Sequence, residues 1–214
     1  MEIGTTDHKS LGKTDVRYVQ LGWTVRLIDI VVSAFVLVLS IPLMALISLL
    51  IKADSRGKII YKQERLGLSG KPFRIYKFRT MSSTIPHLDE ENDNWATRDD
   101  SRVTPFGAYL RKYHWDEIPQ FFNVLKGDMA LVGPRPYRHS VHLNIEQVEP
   151  SWSQRLKFKP GMTGLAQLYS YKGDVLAEHA FKLEYDLQTG ELSLPGYLRI
   201  LIITPFYAAW KGSH

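Results

Sequence analysis

The 214-residue chain contains no cysteine, which excludes disulfides and thiolate metal centres and is compatible with a reducing compartment. It has no internal repeat and no low-complexity tract. Acidic residues are in deficit, 22 against 27 Lys and Arg, giving a formal net charge of +5. That balance suits an anionic partner: nucleic acid, anionic lipid or a phosphorylated substrate. The length suits one compact domain with an accessory element.

Charge is missing altogether from one stretch. Residues Ile30 to Ile51, IVVSAFVLVLSIPLMALISLLI, form a run of 22 without a charged side chain. As a helix it would be about 33 Å long, enough to cross a hydrocarbon core. The run exceeds the apolar part of a signal peptide, and no small-residue cleavage site follows. Pro42 lacks an amide proton and clashes with the carbonyl of Val38. Ser40 can bond back to the carbonyl of Val36 and widen the bend. Each arm would then be about 15–20 Å long, suited to entering one leaflet and leaving by the same face. Lys9, Lys13, Arg17 and Arg26 precede the run, and Lys52, Arg56, Lys58 and Lys62 follow it. Cations on both flanks suit a hairpin with both ends cytoplasmic. A simple span that tolerates its proline is the alternative.

Beyond the run, KIIYKQ and FRIYKFRTM read as two strands of a hairpin joined by ERLGLSGKP. Alternation puts Phe73, Ile75, Lys77 and Arg79 on one face, where Lys77 and Arg79 either converge on an anion or form a solvated edge. GLSGKP is not a phosphate loop, because its glycines are too close and a proline follows the lysine. Residues 82–100 read as a polar surface loop.

Thr104 and Pro105 mark a helix start, a cap followed by a first-turn proline. A second helix is expected from Asp116, with Glu117, Ile118 and Pro119 in its first turn. There Asp116 is either an N-cap with Glu117 as dipole partner, or a carboxylate poised beside bound phosphate and a divalent cation. Arg111, one turn upstream, could hold such a phosphate. In GDMALVGPRP, Pro134 and Pro136 restrict the backbone around Arg135, whose planar fork suits phosphate. In KFKPGMTGLAQ, Pro160, Gly161 and Gly164 give a backbone able to approach a ligand closely. The C-terminal GYLRILIITPFYAAWKG, with Thr204-Pro205 interrupting it and aromatics near its ends, is either a buried helix or an interfacial segment.

The strings KFRTM (77–81), GAYLRKYHWDEIPQFFNVLKGDMALVGPRP (107–136) and KPGMTGLAQ (159–167) resemble, in order and spacing, the bacterial sugar transferase family. These are monotopic phosphoglycosyl transferases that begin glycan assembly on undecaprenyl phosphate. The resemblance covers residues 26–205. It implies an α+β fold: a juxtamembrane segment (1–25), a re-entrant membrane helix hairpin (26–52) broken at Ser40 and Pro42, and a catalytic domain (53–211). That domain is expected to be small, mostly helical and cytoplasmic, with a β-hairpin and an interfacial C-terminal segment. Ile41 separates the serine and proline that many members have adjacent.

The family's Asp-Glu motif falls on Asp116 and Glu117, which the resemblance makes catalytic, with Asp116 also binding Mg²⁺. Its basic residues fall on Lys77, Arg79, Arg111 and Arg135 as phosphate ligands, with Pro160, Gly161 and Gly164 in a nucleotide-sugar loop. EYDLQTGELSL resembles a family segment that usually has more aromatics after the aspartate, here Asp186. The implied partners are a UDP-sugar, undecaprenyl phosphate and membrane lipid at the cytoplasmic face of a bacterial inner membrane, with no nucleic acid. The implied reaction passes through an aspartyl phosphosugar and releases UMP. The rivals are a conventional glycosyltransferase releasing UDP and a non-catalytic membrane scaffold that senses phosphate. Sugar identity and oligomeric state stay open.

Overall fold

The computed structural model describes residues 22–82, 100–169 and 175–212, and the side chains of 175–176 and 206–212 lie outside that description. The acidic loop expected at 82–100 therefore falls almost wholly outside the described residues. Helix α1, Trp23–Asp54, runs through Pro42 as one element. Among the described residues it alone is long and apolar enough to cross a membrane, and only 17% of its most apolar window is buried against protein. Ser40 Oγ donates to the carbonyls of Val36 at 2.6 Å and Leu37 at 3.2 Å. This is the back-bonding expected of a serine ahead of a helical proline.

Strands β1, Ile60–Leu66, and β2, Pro72–Phe78, form the anticipated antiparallel hairpin, with Tyr61 opposite Lys77 and Arg65 opposite Phe73. Helix α2, Pro105–Lys112, starts as expected: Thr104 Oγ1 accepts from the Gly107 amide at 3.0 Å. Helix α3 does not begin at Asp116. Trp115–Glu117 form a separate 3-10 turn, and α3 spans Gln120–Lys126 behind Pro119, without a side-chain cap. The left-handed backbone of His114 (φ 57°) redirects the chain between α2 and this turn. Asn123, fully buried at the centre of α3, receives the Tyr76 amide and donates to the Arg74 carbonyl. Those two bonds lock the helix to β2, and so lock the acid turn to the strand bearing Lys77.

A second pairing was not foreseen. Strand β3, Ala130–Val132, runs parallel to β4, Gly161–Thr163, so the two motifs flanking α4, His139–Val148, lie side by side. Three residues a strand are too few for a periodic signal. The short α5, Leu165–Leu168, leads to α6, Val175–Gly190, and α7, Leu194–Gly212. The expected interruption of α7 at Thr204-Pro205 is absent, since the helix continues through it. Thr204 Oγ1 donates to the Ile200 carbonyl at 2.7 Å, the same hydroxyl device seen before Pro42. The buried-helix alternative holds for Tyr197 and Ile200, which are core, whereas Ile202 is 64% exposed.

The core is a set of contiguous clusters. Ile47, Ile51, Phe78 and Leu110 join α1 to the hairpin and α2, while Val25, Val132, Tyr197 and Ile200 join it to β3 and α7. Apolar burial of this kind contributes about 1.5–3 kcal/mol per large side chain.

Candidate active site

The acid turn faces the end of β2. Lys77 Nζ donates to Glu117 Oε1 at 2.6 Å and stands 3.9 Å from Asp116 Oδ2. Arg135 Nη2 reaches the same Glu117 oxygen at 3.2 Å. Burial opposes the charge on Glu117, but Lys77 and Arg135 outweigh it and hold the carboxyl well below the usual carboxylate range. Asp116 behaves differently. Burial, reinforced by the neighbouring Glu117 charge, raises its pKa against the pull of Lys77 and Arg111. Its side chain is 9% exposed. Asp116 is neither an N-cap nor a hydrogen-bond acceptor for any described residue, so the cap reading of the acid pair is set aside. Two adjacent carboxylates thus hold opposite states: one fixed as an anion between cations, the other enclosed and uncommitted.

Arg111 lies within electrostatic reach of Asp116 and is held by Thr80, whose Oγ1 accepts from Nε at 2.8 Å. That arrangement needs Gly107. A Cβ there would sit 2.1 Å from the Thr80 carbonyl oxygen, so only glycine lets α2 rest on the strand end. Arg79 is elsewhere. Its guanidinium donates to the carbonyls of Ser55 and Lys58, both at 2.6 Å, and to Ile51, closing the end of α1. Lys77 and Arg79 therefore do not meet on one anion: β2 ends at Phe78, and the side chain beyond it answers to α1 instead.

The Pro160–Gly164 segment supports the Arg135 loop from behind. Gly161 N donates to the Pro134 carbonyl at 2.9 Å, and Ala130 N to the Pro160 carbonyl at 2.8 Å. A Cβ on Gly161 would lie 2.0 Å from the Gly133 nitrogen. Its lack of a side chain serves close approach to protein backbone rather than to ligand.

A supporting pair escaped the sequence reading. Arg155 is 3% exposed, pairs with Asp186 through Nε at 2.9 Å and Nη2 at 2.6 Å, and donates to the Arg135 carbonyl at 2.7 Å. Its guanidinium lies over the rings of Tyr137 and Trp152 at 4.5 and 4.4 Å. Asp186 thereby fixes Arg135 indirectly, through the backbone between its two prolines. Arg155 sits in no motif, and in the sequence only its remote partner Asp186 lies within a family-like segment.

Among the described residues no group of three His, Cys, Asp or Glu gathers as a metal cage. A Mg²⁺ site does not need one, since that ion is usually held by one or two carboxylates with substrate phosphates completing the shell. The oxygens of Asp116, enclosed but without a hydrogen-bond donor among the described residues, and the adjacent Glu117 fit such a donor set.

Comparison with known proteins places the chain in a family. The bacterial sugar transferase family model matches residues 21–210. A UDP-glucose:undecaprenyl-phosphate glucose-1-phosphate transferase of Klebsiella pneumoniae is 40% identical over 188 residues, covering 85% of this chain and 39% of that protein. A putative undecaprenyl-phosphate N-acetylgalactosaminyl 1-phosphate transferase of Bacillus subtilis (strain 168) is 40% identical over 149 residues, 69% of this chain and 79% of that one. An exopolysaccharide production protein PSS of Rhizobium leguminosarum bv. phaseoli is 36% identical over 193 residues, 87% of this chain and 96% of that one. The chain spans about two fifths of the Klebsiella relative's length, and almost all of the Rhizobium protein's. With the acid turn, the Arg135 loop and the apolar α1 all inside the matched span, this chain belongs to the bacterial sugar transferase family.

Proposed function

We propose that the chain moves a phosphosugar from a UDP-sugar to undecaprenyl phosphate in two displacements at phosphorus, with Asp116 as the nucleophile. The observation that carries this reading is the asymmetry of the acid pair: Glu117 is taken up by Lys77 and Arg135, while Asp116 is enclosed with no hydrogen-bond donor on it among the described residues. In the first displacement an Asp116 oxygen bonds to the sugar-bearing phosphorus, the bond to the bridging oxygen breaks, and UMP departs. In the second, an oxygen of undecaprenyl phosphate bonds to that phosphorus and the carboxylate is released. Repulsion between two anions is the main barrier to attack by a carboxylate on a phosphate. Lys77, Arg111 and Arg135 offset that repulsion at the reacting centre, and Arg155 with Asp186 keeps Arg135 aimed at it. Mg²⁺ held by Asp116, with Glu117 beside it, would neutralise phosphate charge. The relatives' names, which specify sugar-1-phosphate transfer to undecaprenyl phosphate, support the substrate classes.

The nucleotide product tests the reaction class. In a single turnover with a UDP-sugar and no lipid acceptor, we expect UMP. Release of UDP would select a conventional glycosyltransferase, and no release from any UDP-sugar would select a non-catalytic scaffold.

The lipid acceptor requires the domain to sit at a membrane, and we read α1 as entering and leaving one leaflet. Support comes from where its two arms rest. Arg26 donates to the carbonyls of Val124 and Leu125, at the end of α3, at 2.5 and 2.6 Å. Ile118, just ahead of α3, packs against the cluster of Ile47, Ile51, Phe78 and Leu110. The seven residues of α3 span about 10 Å, whereas Arg26 and Ile51 on a straight helix would be about 38 Å apart. The central side chains Val38, Leu39 and Ile41 are 60–64% exposed, as a lipid-facing apex would be. Because the chain has no cysteine, single cysteines at Gln20 and Glu64 can be labelled cleanly. Both are expected to react with an impermeant maleimide from the same, cytoplasmic side; labelling from opposite sides would establish a span.

A further inference from the structure

The hairpin carries a second cation on the face that holds Lys77. Tyr61 pairs with Lys77 and Arg65 with Phe73, so Lys77 and Arg65 share the face that bears the buried Ile75. Four residues along a strand place Arg65 about 13 Å from the Lys77 position. The Leu66 amide donates to the Tyr137 carbonyl at 2.9 Å, which joins this end of the hairpin to the Arg135–Arg138 segment. A cleft runs along the join, with Leu66 and Gly67 on one wall and Pro134, Arg135 and Pro136 on the other.

Arg65 is half-buried here, and no acid among the described residues hydrogen-bonds to it. Its Nη2 donates to Gln63 Oε1 at 2.6 Å, while its buried Nε has no partner among the described residues. Burial, followed by the charges of Arg138 and Arg135, lowers its pKa to about 10, while Tyr61 and Tyr137 act the other way. A guanidinium held among like charges and partly removed from water is destabilising unless an anion completes the set. Such local costs are characteristic of binding sites.

We propose that Arg65, with Arg135 and Arg138, forms a second anion subsite beside the acid pair, built for a phosphate monoester. The planar forks of the three arginines match phosphate oxygens. Arg135 belongs to both subsites, since its Nη2 also touches Glu117. Which phosphate fills this subsite rests on the proposed reaction: the phosphate of departing UMP or that of the lipid acceptor. That an anion fills it does not.

The test uses the full chain in lipid nanodiscs, with Arg65→Gln and the charge-retaining Arg65→Lys. Inorganic phosphate should raise the melting temperature of the native chain clearly more than that of Arg65→Gln, with Arg65→Lys between them. Without phosphate, Arg65→Gln should melt no lower than the native chain, because like-charge repulsion is relieved. In turnover, Arg65→Gln should raise one KM by about ten-fold or more, the loss expected for a charged hydrogen bond. A rise for the UDP-sugar assigns the subsite to the UMP phosphate; a rise for undecaprenyl phosphate assigns it to the acceptor. Equal phosphate protection of the native chain and Arg65→Gln, or protection of neither, overturns the proposal. So does a lower melting temperature with protection retained, which marks a structural arginine. If the native chain consumes no UDP-sugar, the reaction class fails while phosphate protection still decides the subsite.

Discussion

Asp116→Asn is expected to leave a folded protein with no covalent intermediate and with turnover reduced by on the order of 10⁴-fold or more, the scale of losing a nucleophile. Folding should survive because the side chain is nearly isosteric, no described hydrogen bond ends on its carboxylate, and Lys77 keeps its bond to Glu117. After a single turnover with a UDP-sugar, the native chain should gain the mass of a phosphosugar on the peptide containing Asp116, and the variant should gain nothing. Native activity in Asp116→Asn would sink the mechanism. The same residue sets the pH profile. Attack requires the ionised carboxylate, and burial with the adjacent Glu117 charge raises its pKa. The rate should therefore fall as pH drops through a value above the ordinary carboxylate pKa of about 4. Glu117→Gln removes one of the causes of that elevation, so the acid limb should move to lower pH even as turnover drops. Opposite movements in rate and pH profile distinguish a tuning residue from a merely structural one.

Asp186→Ala should produce the largest loss of stability. It strands the Arg155 guanidinium, 3% exposed, without its counter-charge. Removing one partner of a buried pair typically costs about 3–5 kcal/mol. Equilibrium denaturation in detergent would measure it. Replacing both members with apolar residues, Asp186→Leu with Arg155→Met, should restore much of the stability. Turnover should not recover, because the bond from Arg155 to the Arg135 carbonyl is still gone. Recovery of both together would show that the pair serves packing alone.

The hairpin and the start of α2 were legible because each rests on local rules: strand alternation, turn residues, and a Thr-Pro cap that forms as expected. The acid turn was misplaced for an instructive reason. A first-turn proline and two acids describe a helix start well, yet the left-handed His114 and the 3-10 turn shift α3 to Gln120. No propensity signals that shift; it follows from docking α3 on β2 through Asn123. Arg79 illustrates the limit of face arguments, since alternation ends where the strand ends. The Arg155–Asp186 pair joins residues 31 apart, and the β3–β4 pairing joins strands of three residues. Neither leaves a periodic trace.

The contacts of Asp29 bear on how the chain is assembled. From the N-terminal arm of α1, its Oδ1 accepts from the Leu131 amide at 3.2 Å and from the Tyr197 hydroxyl at 2.5 Å, across 102 and 168 residues. Contacts of such sequence separation form late, because closing the intervening loop carries the entropy cost first. The N-terminal arm of α1 is thus an internal strut of the domain, and deleting it is expected to destabilise the remainder. The truncated chain would expose the face of Val132, Tyr197 and Ile200 that Val25 covers, and would orphan a buried amide and a buried phenol. The interior of this domain is therefore complete only once the long apolar helix has taken its place within it.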